Sequence, residues 1–343
     1  MNTLLENCQP FIQLGKRLQE PDTLASLESS IRIQYPQNPW FTPYFVKNAL
    51  SFIAKALEES AILAFATQYG KQPLVFNQHK KVAVISSGKV PLEDFFDFFH
   101  VLVSGNDYLG KLSSTNQHLL PAIAQCLTDI EPSWAERIQF APKLSHFDAV
   151  IADSTEDNHE TLTKYFNHLP NIIRSSTHSV AVLTGQETPD ELIALANDIY
   201  LYFGMSRRSV TKLIVPEQYD FVPLLRTLND VSKPIADHHQ YLNNLDYQKA
   251  VRLINKLYYM DSGTFLLLEN ESYTPPVSAI YYQYYNTLEQ VESILQRDSD
   301  QLECIIAHSK LNCTCNPFGT THQRKVSDFT HHIDTIQFLG TLS

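Results

Sequence analysis

Residues 180–216 read VAVLTGQETPDELIALANDIYLYFGMSRRSVTKLIVP, and the order of elements in this stretch decides the fold. Val180-Ala-Val-Leu183 is a short apolar run of the kind that forms a buried strand. Thr188-Pro189-Asp190-Glu191 then marks a helix start. The threonine caps, the proline takes the first helical position, and Glu191 can reach back to the cap N–H. Leu192, Leu195, Ala196, Ile199 and Phe203 fall on one helical face, and Gly204 suits its end. Polar chain follows, with two adjacent arginines, Arg207 and Arg208, before the strand-like run 210–216. Strand, helix and strand predict a βαβ unit with a parallel sheet.

Two earlier runs, residues 82–85 and 147–151, repeat the pattern: apolar residues, then Ser, Gly, Thr or Asp, then a helical period. A further strand is predicted over 108–112 and a helix over 118–126. Thr42-Pro43 opens a helix whose buried face is Val46, Leu50, Ile53 and Leu57. Downstream, a helix over 246–258 and strands over 264–268, 278–284 and 335–339 are expected. The first forty residues, rich in Pro, Gln and Asn, read as an irregular or short-helical lead-in. The class is α/β throughout.

The formal net charge of −11, with 37 acidic against 26 basic residues, argues against a phosphate-backbone binder, so no nucleic acid is expected as partner. The longest apolar stretches fall short of a membrane span. MNTLLENCQPF lacks the basic start and apolar run of a secretion signal, so a cytoplasmic location is expected. Five scattered cysteines then read as free thiols. Cys313 and Cys315, with His322, His331 and His332 downstream, match no established zinc spacing. They read as strand-end thiols and surface histidines, and no metal is expected.

Taken together, NPWFTP (38–43), SGKVPLEDFFDF (87–98), LVSGNDYLGKLSS (102–114), FDAVIA (147–152), NIIRSSTHSVAVLTG (171–185), DIYLYFG (198–204), YDFVPL (219–224), NNLDYQKA (243–250), NPFG (316–319) and HIDTIQFL (332–339) resemble the acyl-CoA reductases. These are the fatty acid reductases of the bacterial luminescence type, within the aldehyde dehydrogenase superfamily, and the likeness is closest to Bacteroidetes-type versions. It covers nearly the whole chain. It implies a Rossmann-like nucleotide-binding domain over residues 1–185, a second, catalytic-type α/β domain over 186–320, and a tail, 321–343, returning as a strand or oligomerisation strand. It also implies NADPH as cofactor, an acyl-CoA or acyl-carrier thioester as substrate, and a homodimer or a heteromer with an active relative.

The implied chemistry is attack by a cysteine thiolate on the thioester, loss of CoA, and hydride reduction of the acyl-enzyme to an aldehyde. At the position of that cysteine the chain carries Arg207, flanked by Ser206 and Ser209 with no base evident nearby. A guanidinium offers donors and no lone pair, so it cannot form an acyl-enzyme. Lys89 stands where the family has its oxyanion-binding asparagine, and Asp94 where it has a glycine. In the nucleotide-contacting turn, Asp153-Ser154-Thr155 replaces a glycine-containing motif. Asp153 and Glu156 there bring negative charge toward the phosphates. Lys111, Ser113 and Ser114 match retained cofactor-contacting positions, with Ser154 and Thr155 as further candidates. Two functions follow: a binding or scaffold protein that has lost thiol-dependent reduction, or a reductase passing hydride directly to the thioester, with Lys89 or Arg207 as electrophilic donor.

Overall fold

Two parallel sheets, each assembled from strand–helix–strand units, organise the chain in a computed structural model that describes residues 3–72, 74–76, 78–155, 157–308 and 311–342. Four helices lead: α1 (Thr3–Arg17), α2 (Pro21–Gln37), α3 (Pro43–Ala56) and α4 (Glu59–Tyr69). Then come β1 (Lys81–Ile85), α5 (Phe95–Val103), β2 (Asp107–Lys111), α6 (Leu119–Ile130), β3 (Ile138–Phe140), β4 (Ala149–Asp153), α7 (His159–Phe166) and β5 (Asn171–Arg174). The second series is β6 (His178–Val182), α8 (Pro189–Tyr200), β7 (Val210–Pro216), α9 (Val222–Asp230), α10 (His239–Asn255), β8 (Met260–Asp261), β9 (Leu266–Glu269), β10 (Ala279–Tyr285), α11 (Leu288–Arg297) and β11 (Leu302–Ala307). The chain closes with α12 (Thr335–Gly340).

The first sheet has strand order β3-β2-β1-β4-β5, all parallel, and reverses direction of growth between β1 and β4. That reversal is the topological switch point of a Rossmann-like sheet. The second has order β11-β6-β7-β10-β9-β8, parallel except for the two-residue edge strand β8. The chain divides into two units, residues 1–176 with 323–343, and residues 177–322. The boundary lies earlier than residue 185 because β6 pairs with β7 and β11, so its backbone hydrogen bonds place it in the second sheet.

The amino-terminal forty residues are helical. In α1 the buried residues Leu4, Cys8, Phe11 and Leu14 recur at helical spacing. Phe11 packs against Phe95, Phe98, Phe99 and Trp134 at centroid distances of 4.8 to 6.4 Å. Burial of that stripe outweighs the polar composition and the internal Pro10. The strand expected over 335–339 is instead the helix α12. Asp334 caps it, accepting from the Gln337 N–H at 2.9 Å. The tail returns to the first unit through side chains: Tyr69 Oη donates to Asp334 at 2.6 Å, Arg174 Nη2 to Thr335 Oγ1 at 3.0 Å, and the His100 ring meets the Val326 carbonyl at 2.8 Å.

Candidate functional site

In the second unit, α8 begins as its sequence predicts. The Thr188 Oγ1 accepts from the Glu191 N–H at 3.3 Å, and the Glu191 carboxylate accepts from the Thr188 N–H at 2.8 Å. Its end differs. Regular helix stops at Tyr200, and Tyr202 (φ 56°) and Phe203 (φ 58°) take left-handed backbone before Gly204 (φ 73°). Two non-glycine residues in that region cost roughly 1–2 kcal/mol each. Packing holds them there: Phe203 lies 4.5 Å from the His238 ring and 5.4 Å from Tyr241, and Tyr202 lies 5.2 Å from His322. Strained backbone kept in place by its surroundings is a common mark of a functional turn.

The turn itself is fastened from several directions. The Ser206 hydroxyl accepts from the Arg208 N–H at 3.2 Å, and the Arg207 carbonyl accepts from Ser179 Oγ at 2.9 Å. Arg208 is buried; its Nε donates to the Thr321 carbonyl and its Nη1 lies 3.7 Å from Glu303 Oε1. Glu303 in turn accepts from Thr177 Oγ1 at 2.8 Å. Asp198, at the end of α8, accepts from the Gly319 N–H (2.6 Å), the Thr321 N–H (3.1 Å) and Thr321 Oγ1 (2.7 Å). Burial pushes this carboxyl up to about 6, while those donors and Arg208 pull the other way. The segment 319–322 thereby braces the turn through both its carboxylate and its guanidinium.

A base does stand near one of the serines. His322 Nε2 lies 3.5 Å from Ser209 Oγ, and His322 is buried rather than on the surface. Burial, reinforced by Arg208, drives its imidazole down to about 3, so it is neutral. Ser209 nevertheless makes a poor nucleophile: it is fully buried and its hydroxyl donates to the Leu201 carbonyl at 3.0 Å. No local sequence signal announces Asp198, Glu303, Thr321 or His322, because their partners lie up to 126 positions away. Arg207 itself is half-buried. Cys304 is in register with Ser179, one strand from the turn, and is buried. Cys313 and Cys315 sit 3.8 Å apart, and among the described residues no three His, Cys, Asp or Glu side chains cluster as a metal site.

In the first unit, the switch point lies at the carboxyl ends of β1 and β4. After β1 the chain turns through Ser86, Ser87 and Gly88; Gly88 has φ 67°, and a Cβ there would lie 2.4 Å from Ser113 Cβ. Glycine is required on both grounds. This approach brings the turns after β1 and β2 together, with Lys89, Lys111 and Ser114 exposed and Ser113 half-buried. Ser113 Oγ meets Thr115 Oγ1 at 3.1 Å. The Ser86 hydroxyl and the Asn116 side-chain carbonyl are buried with no hydrogen-bond partner.

The turn after β4 departs from expectation. The Ser154 hydroxyl is buried, donates to the Arg174 carbonyl at 2.8 Å and meets His159 Nδ1 at 2.8 Å, so it is committed inside the protein. The Thr155 N–H donates to Asn158 Oδ1 at 2.8 Å. Asp153 points its charge inward: its Oδ1 lies 3.6 Å from Arg174 Nη1, which neutralises it. Glu156 lies outside the described residues. Asp94 is buried at the start of α5, and neither of its oxygens has a hydrogen-bond partner, although the Ser86 hydroxyl is near enough to favour the charged form. Burial pushes the Asp94 carboxyl up to about 7.

No family model and no curated protein matches the sequence. Solved structures do match the fold. An indole-3-acetaldehyde dehydrogenase in complex with NAD+ aligns over 90% of this chain and 72% of its own, at 12% identity and a TM-score of 0.64. The NAD+ complex of an aldehyde dehydrogenase from Bacillus cereus aligns over 91% and 73%, at 11% identity and 0.62. An NADP-dependent enzyme of Escherichia coli aligns over 90% and 74%, at 8% identity and 0.63. With two parallel sheets, a Rossmann-like switch point and these neighbours, the chain has the aldehyde dehydrogenase fold.

Proposed function

We propose that this chain is an acyl-CoA reductase-type protein that keeps a nicotinamide dinucleotide site and has lost thiol-dependent reduction of acyl thioesters, acting instead as a binding or scaffold partner. One observation carries this reading. The turn 204–209 is fully braced, by Asp198, Glu303, Thr321 and Ser179, around a position where the side chain is arginine. A nucleophile needs an accessible lone pair and a base. Arg207 supplies neither, and the Ser206 oxygen accepts from the backbone while Ser209 is sealed in.

The switch-point residues suit a dinucleotide. Lys89 and Lys111 are exposed cations for phosphate or ribose at the turns after β1 and β2. NADPH, when bound, would supply hydride. The protein's part there is to bind and orient: Gly88 lets the backbone come close, and Lys111 holds charge at the rim. Neutralisation of Asp153 by Arg174 removes the electrostatic objection that its position raises. An acyl-carrier or acyl-CoA thioester remains the proposed ligand of the second unit, where Arg207 would face its anionic groups. The reductase alternative, with Lys89 or Arg207 as electrophile, draws support from the same two cations.

Calorimetry with NADPH and trapping of aldehyde from a panel of acyl-CoAs test the two halves separately. Saturable NADPH binding, weakened about tenfold or more by Lys111→Ala, is expected, together with no aldehyde. Robust turnover overturns the loss of reduction, and absence of NADPH binding overturns the retained site. Arg207→Cys places a thiol on the turn that should react with a maleimide faster than the five native cysteines. Labelling no faster than wild type would show that position 207 is not the accessible point of the turn.

A further inference from the structure

Between β11 and the segment that braces the turn, the chain reads Asn312-Cys-Thr-Cys-Asn316. It is anchored at both ends. The Asn312 N–H and side-chain amide donate to the two carboxylate oxygens of Glu292 on α11, at 3.0 and 2.9 Å. The Asn316 N–H donates to the Ile305 carbonyl of β11 at 2.7 Å. Between these anchors the chain bends at Asn312 and Cys313, and the two thiols meet with their Sγ atoms 3.8 Å apart. Cys313 is exposed and Cys315 half-buried, and the Cys315 thiol donates to the Cys313 carbonyl at 3.6 Å. Cys8 and Cys304, by contrast, are sealed in the interior.

We propose that Cys313 and Cys315 are a dithiol–disulfide couple that exchanges with low-molecular-weight disulfides, its state setting how firmly the segment 316–321 holds Asp198. The exposed Cys313, its proton given to water, attacks one sulfur of the small disulfide. A Cys313–S bond forms, the S–S bond of the reagent breaks, and one thiolate leaves. Burial, with the hydrogen bond and charge of Cys313 added, pushes the Cys315 thiol up to about 12. Capping Cys313 removes its share of that rise, so Cys315 ionises second and attacks Cys313 Sγ. The Cys313–Cys315 bond forms and the second thiolate leaves. The two protein thiols lose two electrons to the reagent, and their protons end on its two halves. A single residue separates the cysteines, so little loop-closure entropy opposes the ring. Past Asn316 the same segment supplies the Gly319 and Thr321 N–H groups that hold Asp198 at the end of α8, at 2.6 and 3.1 Å. Oxidation removes the Cys315 S–H bond to the Cys313 carbonyl and draws the sulfurs together, from 3.8 Å to about 2.05 Å. The backbone entering Asn316 turns to follow, which loosens the hold on Asp198. None of this depends on whether the turn is catalytically silent.

Incubation of the full chain with glutathione disulfide, quenched in acid and followed by intact mass spectrometry, tests this. Wild type is expected to lose one hydrogen from each thiol and keep no glutathionyl group, whereas Cys315→Ser stops at a glutathionyl adduct on Cys313. Cys313→Ser should slow the reaction by about tenfold or more, since it leaves the half-buried Cys126 and Cys315 as the thiols in reach. Reduced dithiothreitol should return the wild type to its starting mass, as expected of an exposed disulfide. Hydrogen exchange at the Gly319 and Thr321 amides should run about tenfold faster in the oxidised chain than in the reduced one. A wild type that keeps glutathionyl groups, or a Cys313→Ser variant that reacts at the wild-type rate, overturns the couple. Equal exchange at Gly319 and Thr321 in the two states overturns its link to Asp198.

Discussion

Arg174→Met lowers the stability of the first unit by about 3–5 kcal/mol, the range found when one partner of a buried ion pair is removed. Arg174 ends β5 and is 1% exposed. Its guanidinium grips Asp97 with two parallel bonds, Nη1 to Oδ2 at 2.6 Å and Nη2 to Oδ1 at 2.7 Å. It also neutralises Asp153 and donates to Thr335, the first residue of α12. Methionine fills much of the same volume, so the loss isolates the charge: the buried Asp97 carboxylate loses the guanidinium that grips it, and Asp153 loses the cation 3.6 Å away. Against a typical total of 5–15 kcal/mol this is a large fraction.

Urea denaturation followed by tryptophan fluorescence reads the effect cleanly, because both tryptophans, Trp40 and Trp134, lie in the first unit. Adding Asp97→Leu to Arg174→Met should recover part of the loss, since it removes one of the stranded charges. The deficit also depends on pH. Burial alone would raise the Asp97 carboxyl, but the Arg174 guanidinium overrides it and holds the group below its ordinary value. A depressed carboxyl contributes stability that is present above its unfolded value, near 3.9, and lost as pH falls through the folded one. The gap between variant and wild type should therefore narrow below about pH 4. A loss under about 1 kcal/mol at neutral pH, or one that no second substitution relieves, would refute the role given to this pair.

How much of this was legible beforehand depends on where each signal resides. The strands β1, β4 and β6 centre on short apolar runs followed by turn residues, and both caps, Thr42 and Thr188, act within three residues of themselves. Such features are local, and sequence reveals them. Helices α1 and α2 are only partly legible, as an irregular or short-helical lead-in, because Pro, Gln and Asn are frequent there and the buried stripe Leu4, Cys8, Phe11 and Leu14 is sparse. The α12 segment alternates enough to suggest a strand, and what decides otherwise is Asp334 capping it and Thr335 meeting Arg174, 161 positions earlier. The turn after Gly204 and its two arginines are visible in the sequence, whereas the early end of α8 at Tyr200 is not, because Tyr202 and Phe203 continue the apolar helical period. Nor is the bracing of that turn, since Asp198, Glu303 and His322 acquire meaning through contacts that the sequence order does not display. The same holds for Asp153, whose neutralising partner Arg174 lies 3.6 Å away in space and 21 positions on in the chain.

Asp94→Asn should stabilise the first unit at alkaline pH, an unusual direction for a core substitution. Asp94 is 4% exposed, and burial raises its carboxyl to about 7 from an ordinary 3.8. A group whose folded value is raised contributes stability that is fully present below its unfolded value and is lost as pH rises through the folded one. For Asp94 the loss therefore runs from about pH 4 to just above 7, and amounts to about 3–4 kcal/mol once the carboxylate is ionised in the interior. Asparagine has a similar shape and stays neutral, so it removes both the burial of charge and the repulsion from Glu93 and Asp97, which outweigh the Ser86 hydroxyl that favours the carboxylate. The variant's advantage should thus be about 3 kcal/mol at pH 8 and vanish near pH 4. Other titrating groups do not confuse the difference. His100, driven down to about 4 by burial, destabilises the unit as pH falls from 6.5, but it does so in both proteins. Asp198 and His322 belong to the second unit, which tryptophan fluorescence does not report. Parallel urea melts of both proteins at pH 5 and pH 8 decide the matter. An advantage that is equal at the two values would mean that Asp94 keeps an ordinary carboxyl, and a variant less stable at pH 8 would mean that the buried charge is being used rather than endured.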